Sequence, residues 1–275
     1  MDKKKLKKEI YGSADFTKYI NNFLLAQISI LKGVAISKKI TGRANEMRVV
    51  LMSSVGVVAA MANVGTLNET TMLVRAFLER VINFCYVVVC SDEEYGRYKA
   101  YSLQKSYRKL NRKISAGGHT FEIRYMGNID ANSIPELKAA LEQFTGSRGG
   151  EKTRWTNVEL SDRIIIIGKN SKIDIRKWLL ALLTYYEDAS EALHGTFYGS
   201  VFQTGMYEPG FDRNDKAAVL RNEQKKLTLL YWQMGDFISD LIYFLGEKFD
   251  LPDFVEKSQI NSKSIAETMK VLLTD

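Results

Sequence analysis

Residues 49–67 read VVLMSSVGVVAAMANVGTL, a stretch without one charged side chain. A bilayer-spanning helix needs about 20 mainly apolar residues, so the length alone raises the question of a membrane. Ser53, Ser54, Gly56, Asn63 and Gly65 interrupt the run, and it lacks the density of Leu, Ile and Phe that insertion favours. The better reading is a buried core helix over Arg43 to Val64. Its Ala, Gly and Ser content lets neighbouring helices approach closely, which predicts the centre of a helical bundle.

Both flanks extend that reading. Upstream, Phe16, Tyr19, Ile20, Phe23, Leu24, Ile28, Leu31 and Ala35 recur at three- and four-residue spacing, the stripe of an amphipathic helix. Downstream, Gly65 and Asn68 punctuate the chain before a helix from Glu69 to about Val89. Ser91-Asp92-Glu93-Glu94 supplies an N-cap and an acidic first turn for a helix running to about Ile114. Ala116-Gly117-Gly118-His119 then breaks the pattern, and Phe121, Ile123 and Tyr125 alternate with polar residues as in a short strand. Shorter helices are expected at Ser133 to Phe144 and near Val158 to Ile167. Longer ones follow from Asp174, carrying Trp178, Leu179, Leu182, Leu183, Tyr186, Ala189 and Leu193, and from Asp215 to Phe249. Gly195, Gly199 and the stretch Pro209 to Asn214 loosen the chain between them. The prediction is an all-α fold: a bundle of about six to eight helices forming one domain over 15–275. It includes a small irregular insertion at about 117–154, behind a basic tail at 1–14.

Composition narrows the classes of function. With 45% apolar and 26% charged residues the chain can build its own core without a staple. Cys85 and Cys90 read as reduced core residues, and His119 and His194 have no Cys/His cluster around them. No metal and no cofactor is therefore expected. Lys3, Lys4, Lys5, Lys7 and Lys8 precede no apolar export segment, so a cytoplasmic protein with no membrane partner is expected. Gly146 to Thr153 superficially resembles a phosphate-binding loop. Glu151, however, stands where that loop needs a glycine before Lys152.

The net charge of +7 is unevenly spread. Arg97, Lys99, Lys105, Arg108, Lys109, Arg112 and Lys113 are interleaved with Tyr95, Tyr98, Tyr101 and Tyr107. Such a surface can neutralise phosphates while its tyrosines stack on bases, which makes nucleic acid a candidate partner. The plainer alternative packs the tyrosines on the core and sends the cationic heads to water.

A second polar set lies on helices that are otherwise apolar. Arg75, Glu79 and Asn83 share one helix face at four-residue spacing, and Tyr186, Ser190 and His194 share another. If the faces meet, these residues satisfy one another. They then either fix the pairing of two helices or line a ligand pocket in which Glu79 orients His194 for acid–base work. A Ser190–His194 nucleophile is the weaker catalytic option, because a mid-helix serine tends to bond back to the preceding turn.

The Arg75-x-x-x-Glu79 helix, Trp155 ahead of a short helix, and Tyr186-Glu-Asp-Ala-Ser190-Glu-Ala-Leu-His194-Gly195 together resemble a bacterial family, domain of unknown function family 5677, over roughly Ala26 to Phe244. The resemblance implies an all-helical fold with a polar centre at Arg75, Glu79, Tyr186, Ser190 and His194, and no activity. Arg112 to His119 also has the Arg-to-His spacing of the helical HEPN ribonucleases, although Lys113 and the two glycines depart from that pattern. The leading expectation is a bacterial binding or accessory protein, associated with nucleic acid and part of a defence or stress module. A metal-independent ribonuclease using Arg112 and His119, with His119 or His194 as acid or base, and a non-catalytic protein that forms homo-oligomers, are the alternatives.

Overall fold

A computed structural model describes residues 11, 14–125, 127, 129–194, 212 and 214–273. The fold is all-α with one small two-stranded ribbon. The chain divides into two compact units: Met1–Val89 with Leu160–Asp275, and Cys90–Glu159.

The larger unit holds α1 (Ala14–Ala35), α2 (Gly42–Glu46), α3 (Arg48–Val64) and α4 (Leu67–Val89) before the break. After it come α7 (Leu160–Lys169), α8 (Ile175–Ala181), a π-helical turn (Leu182–Tyr186), α9 (Glu187–Leu193), α10 (Lys216–Lys248) and α11 (Pro252–Leu273). The central helix is α4, not the Ala- and Gly-rich helix before it. It packs against α3, α7, α9 and α10 and buries Val74, Phe77, Leu78, Val81, Ile82, Phe84, Cys85, Tyr86 and Val87. On α3 one side is buried through Leu51, Val55, Val58 and Met61, while Val49 and Met52 face outward. The reason lies in the side chains, because burying Phe, Leu and Ile removes far more apolar surface than burying Ala, Gly and Ser. No helix among the described residues is long and apolar enough to cross a membrane.

Helix α11 extends beyond the elements that periodicity predicts. Its inner face carries Phe254, Ile265, Met269 and Leu272, but Ser258 and Asn261 break the stripe. Both are paired. Asn261 and Gln27 of α1 exchange amide hydrogen bonds of 3.0 and 3.1 Å, Asn261 donates to Ser239 Oγ at 2.9 Å, and Ser258 donates to the Ser239 carbonyl at 2.8 Å. This satisfied buried network sets the register of α1 and α11 on α10.

The smaller unit contains α5 (Asp92–Arg108), β1 (Arg112–Ala116), β2 (His119–Ile123), a 3₁₀ turn (Ala131–Ser133) and α6 (Pro135–Gln143). Ser91 caps α5 by accepting from the Glu94 N–H. The helix stops at Arg108 rather than near Ile114, because residues 112–116 enter an antiparallel pairing. Gly117 and Gly118 have φ of 57° and 80°, the two positive values that a tight hairpin turn requires. Ile114 stands opposite Phe121, and Arg112 opposite Ile123.

Candidate functional site

The face of α4 that carries Arg75 meets the helix that carries Tyr186. Arg75 Nε donates to Glu79 Oε1 at 3.1 Å, and Nη2 donates to the Tyr186 hydroxyl at 3.1 Å. The guanidinium carbon also lies 4.2 Å from the centre of the Tyr186 ring, a cation–π arrangement. Farther along α4, Arg163 of α7 donates to Asn83, so the polar stripe stays partnered along its length.

A π turn is what delivers Tyr186. Leu182–Tyr186 adds one residue to a turn within an otherwise continuous helix, and such turns are rare and frequent at functional sites. Before the turn, Trp178 is fully buried and stacks on Phe237 of α10, with ring centres 4.6 Å apart. After it, Tyr186 turns to Arg75 on α4.

Electrostatics give the three residues separate roles. Burial works against the charge on Arg75, but the Glu79 carboxylate and the Tyr186 hydroxyl outweigh it, and the guanidinium holds its proton more tightly than usual. Burial, and after it Glu79, pushes the Tyr186 phenol up, so it remains a hydrogen-bond donor at neutral pH. Neither group can serve as a base. Arg75 Nη1 is buried and among the described residues has no hydrogen-bond partner, which leaves one nitrogen of a fixed cationic fork open.

Ser190 and His194 do not join this cluster. Among the described residues the Ser190 hydroxyl has no hydrogen bond, and its carbonyl accepts from the His194 N–H. His194 is exposed at the end of α9. Eight residues at about 1.5 Å rise each put it roughly 12 Å along the axis from Tyr186. The arrangement therefore assembles Arg75, Glu79 and Tyr186 and does not assemble a Glu79–His194 acid–base pair. Arg112 and His119 stand at opposite ends of the β-ribbon, paired with Ile123 and Ala116, instead of at one helix end. Four residue steps of about 3.3 Å separate them by roughly 13 Å.

The basic helix is more occupied than its sequence suggests. Lys105 bridges to Glu151 at 2.6 Å, and Arg108 donates to Gln104 Oε1 at 2.7 Å and to Thr145 Oγ1 at 2.6 Å. Tyr101 donates to the Thr153 carbonyl and packs edge-on against Phe144, as Tyr98 does against Trp155. Two of the expected phosphate contacts thus pin the loop at 144–153. Arg97 reaches Glu94 at 4.0 Å. Lys99, Lys109, Arg112 and Lys113 remain exposed.

Sequence reading does not single out Asp240, a carboxyl buried beside Trp178. Trp178 Nε1 donates to Asp240 Oδ2 at 2.9 Å. Burial pushes that carboxyl up to about 6, and the carboxylates of Asp236 and Asp174 add to the rise. The available signal was Asp236 and Asp240 recurring at four-residue spacing inside the apolar run Met234 to Leu245. Nearby, burial and then Asp240 push the Cys85 thiol well up, as befits an inert core cysteine. Cys85 and Cys90 are both buried. No group of His, Cys, Asp and Glu among the described residues could hold a metal ion.

A search of curated proteins and a search of solved structures each returned no match. Arg75, Glu79, Tyr186, Ser190 and His194, with the π turn between α8 and α9, all fall within residues 51–204, which match the model of a family of unknown function, DUF5677, and the chain belongs to that family.

Proposed function

We propose that this protein is a binding protein whose polar centre receives a small anionic group, a carboxylate or a phosphate, on Arg75. The observation that carries the reading is the buried, unpartnered Nη1 of a guanidinium whose other nitrogens are held by Glu79 and Tyr186. Such a fork is preorganised, so little rotamer entropy is lost when an oxyanion docks. Glu79 orients the arginine, and Tyr186 supports it from above and donates its own proton within the cluster.

Thermal shift with inorganic phosphate, acetate and citrate as probes tests this. At least one should raise Tm in the wild type by mass action, and Arg75→Lys, which keeps the charge and loses the fork, should abolish the rise. Tyr186→Phe removes one support and should weaken the response roughly tenfold, about 1.4 kcal/mol. A wild type that responds to none of the probes, or an Arg75→Lys protein that responds equally, would discard the proposal.

A second reading, association with nucleic acid through the smaller unit, has one specific support: from Arg97 to Lys113 there are seven cations and no carboxylate. Because Arg108 is a structural contact, the informative variant is Lys109→Glu with Lys113→Glu. It should weaken binding of single-stranded RNA and reduce the magnitude of the log–log salt slope by about 1.4, at roughly 0.7 per phosphate contact. An unchanged slope rejects this reading.

A further inference from the structure

Every residue of β1 and β2 is exposed. Ile114, Phe121, Ile123 and Tyr125 lie on one face and are 64%, 68%, 59% and 52% exposed. Two strands alone are marginal in water, and three or more with an apolar face are needed for independent stability. Counted outward from the two-residue Gly117–Gly118 turn, Thr120 and Glu122 direct their backbone N–H and C=O away from β1. That leaves an open strand edge.

The edge is complementary to itself. Laid antiparallel on a second copy about a two-fold axis through Ile123, it sets Ile123 against the partner's Ile123 and Phe121 against the partner's Tyr125. In the same register Glu122 meets the partner's Arg124. Apolar residues meet apolar ones, each charge meets its opposite, and Glu122 and Arg124 exchange backbone N–H and C=O on both sides of the axis. Within one chain Glu122 already takes Arg124 at 2.7 Å on the polar face, so the pair is positioned to be shared across the axis. Shifting the register by one residue would place apolar against charged positions and turn the faces over.

We infer that β2 forms a homodimer by edge-to-edge pairing with a second copy of this chain, joining two ribbons into one four-stranded antiparallel sheet. The contact is short, so association is concentration-dependent and belongs with small transient interfaces, below about 1,200 Å². An acidic peptide or a nucleic acid would use Arg124 but would leave Phe121, Ile123 and Tyr125 without partners.

Sedimentation of the full chain over a concentration series tests the inference with two charge reversals. Glu122→Arg places like charges across the axis, as does Arg124→Glu, and each alone should sediment as a monomer where the wild type dimerises. An equimolar mixture of the two variants restores opposite charges only between chains, so it should form a heterodimer. Recovery in the mixture cannot come from a repaired contact inside either chain. A wild type that is monomeric throughout, single variants that still dimerise, a mixture that stays monomeric, or association that requires added nucleic acid would each overturn the inference.

Discussion

Asp240→Asn is expected to make the protein more stable at neutral pH, by about 1–3 kcal/mol. The carboxyl titrates near 6 in the fold, against an ordinary value of 3.8, because burial penalises its ionised form. Between those values the folded chain holds a proton that the unfolded chain has released. Stability therefore falls as pH rises through roughly 4 to 6 and stays reduced above that window. A rise from 3.8 to about 6 corresponds to at most about 3 kcal/mol, and residual solvation of the carboxylate lowers the figure. The asparagine amide oxygen can still accept from Trp178 Nε1, so the variant removes the charge and keeps the contact. Melting curves from pH 4 to pH 8 should show the variant several degrees above wild type at pH 7, the two converging toward pH 4. An Asp240→Asn protein less stable than wild type at pH 7, or a gap that ignores pH, would show that the buried charge is compensated.

Gly246→Ala should act in the opposite direction and cost about 1–3 kcal/mol, the usual range for forcing atoms into a packed site. A Cβ at Gly246 would lie 2.8 Å from Val255 Cγ2, 3.0 Å from the Val255 backbone nitrogen and 3.3 Å from the Leu251 carbonyl oxygen. The side chain could turn aside, but the backbone atoms belong to the first turn of α11. That turn is held by the Leu251 N–H donating to the Gly246 carbonyl at 2.8 Å. Gly56 on α3 is the internal control. A Cβ there meets nothing within 4 Å, so Gly56→Ala should stabilise by about 0.5–1 kcal/mol through helix propensity alone. Urea midpoints of the two variants should move to opposite sides of wild type. A Gly246→Ala protein as stable as wild type would mean that α11 can slide on α10.

The fold was legible where apolar periodicity is long and capped. Ser91, Asp174 and Asp215 mark helix starts that the structure keeps, each side chain accepting from the N–H groups of the first turn. The meeting of Arg75 with Tyr186 was also legible, since a charged residue on an apolar helix needs a partner and few polar faces were available. What stayed hidden has physical causes. A lack of charge does not measure burial, so the Ala- and Gly-rich α3 looked more central than the Phe- and Leu-rich α4. Satisfied buried polar residues mask a stripe, which concealed α11. No residue type announces a π turn, so equal spacing of Tyr186, Ser190 and His194 suggested one shared site where only Tyr186 is engaged.

That π turn sets the angular phase between two halves of one helix. Trp178 is anchored on α10 and Tyr186 answers to α4, and the wide turn between them absorbs the rotation of about 100° that its extra residue would otherwise add. A homologue one residue shorter within Leu182–Tyr186 would relax to a plain α-helix. It would keep both the tryptophan anchor and the tyrosine facing Arg75, because seven residues at about 100° each reach the angle that eight reach through the wide turn. Single-residue length variation at this point would therefore leave the cation contact and the rest of the scaffold in place, whereas closing the wide turn at full length would rotate the tyrosine away from Arg75.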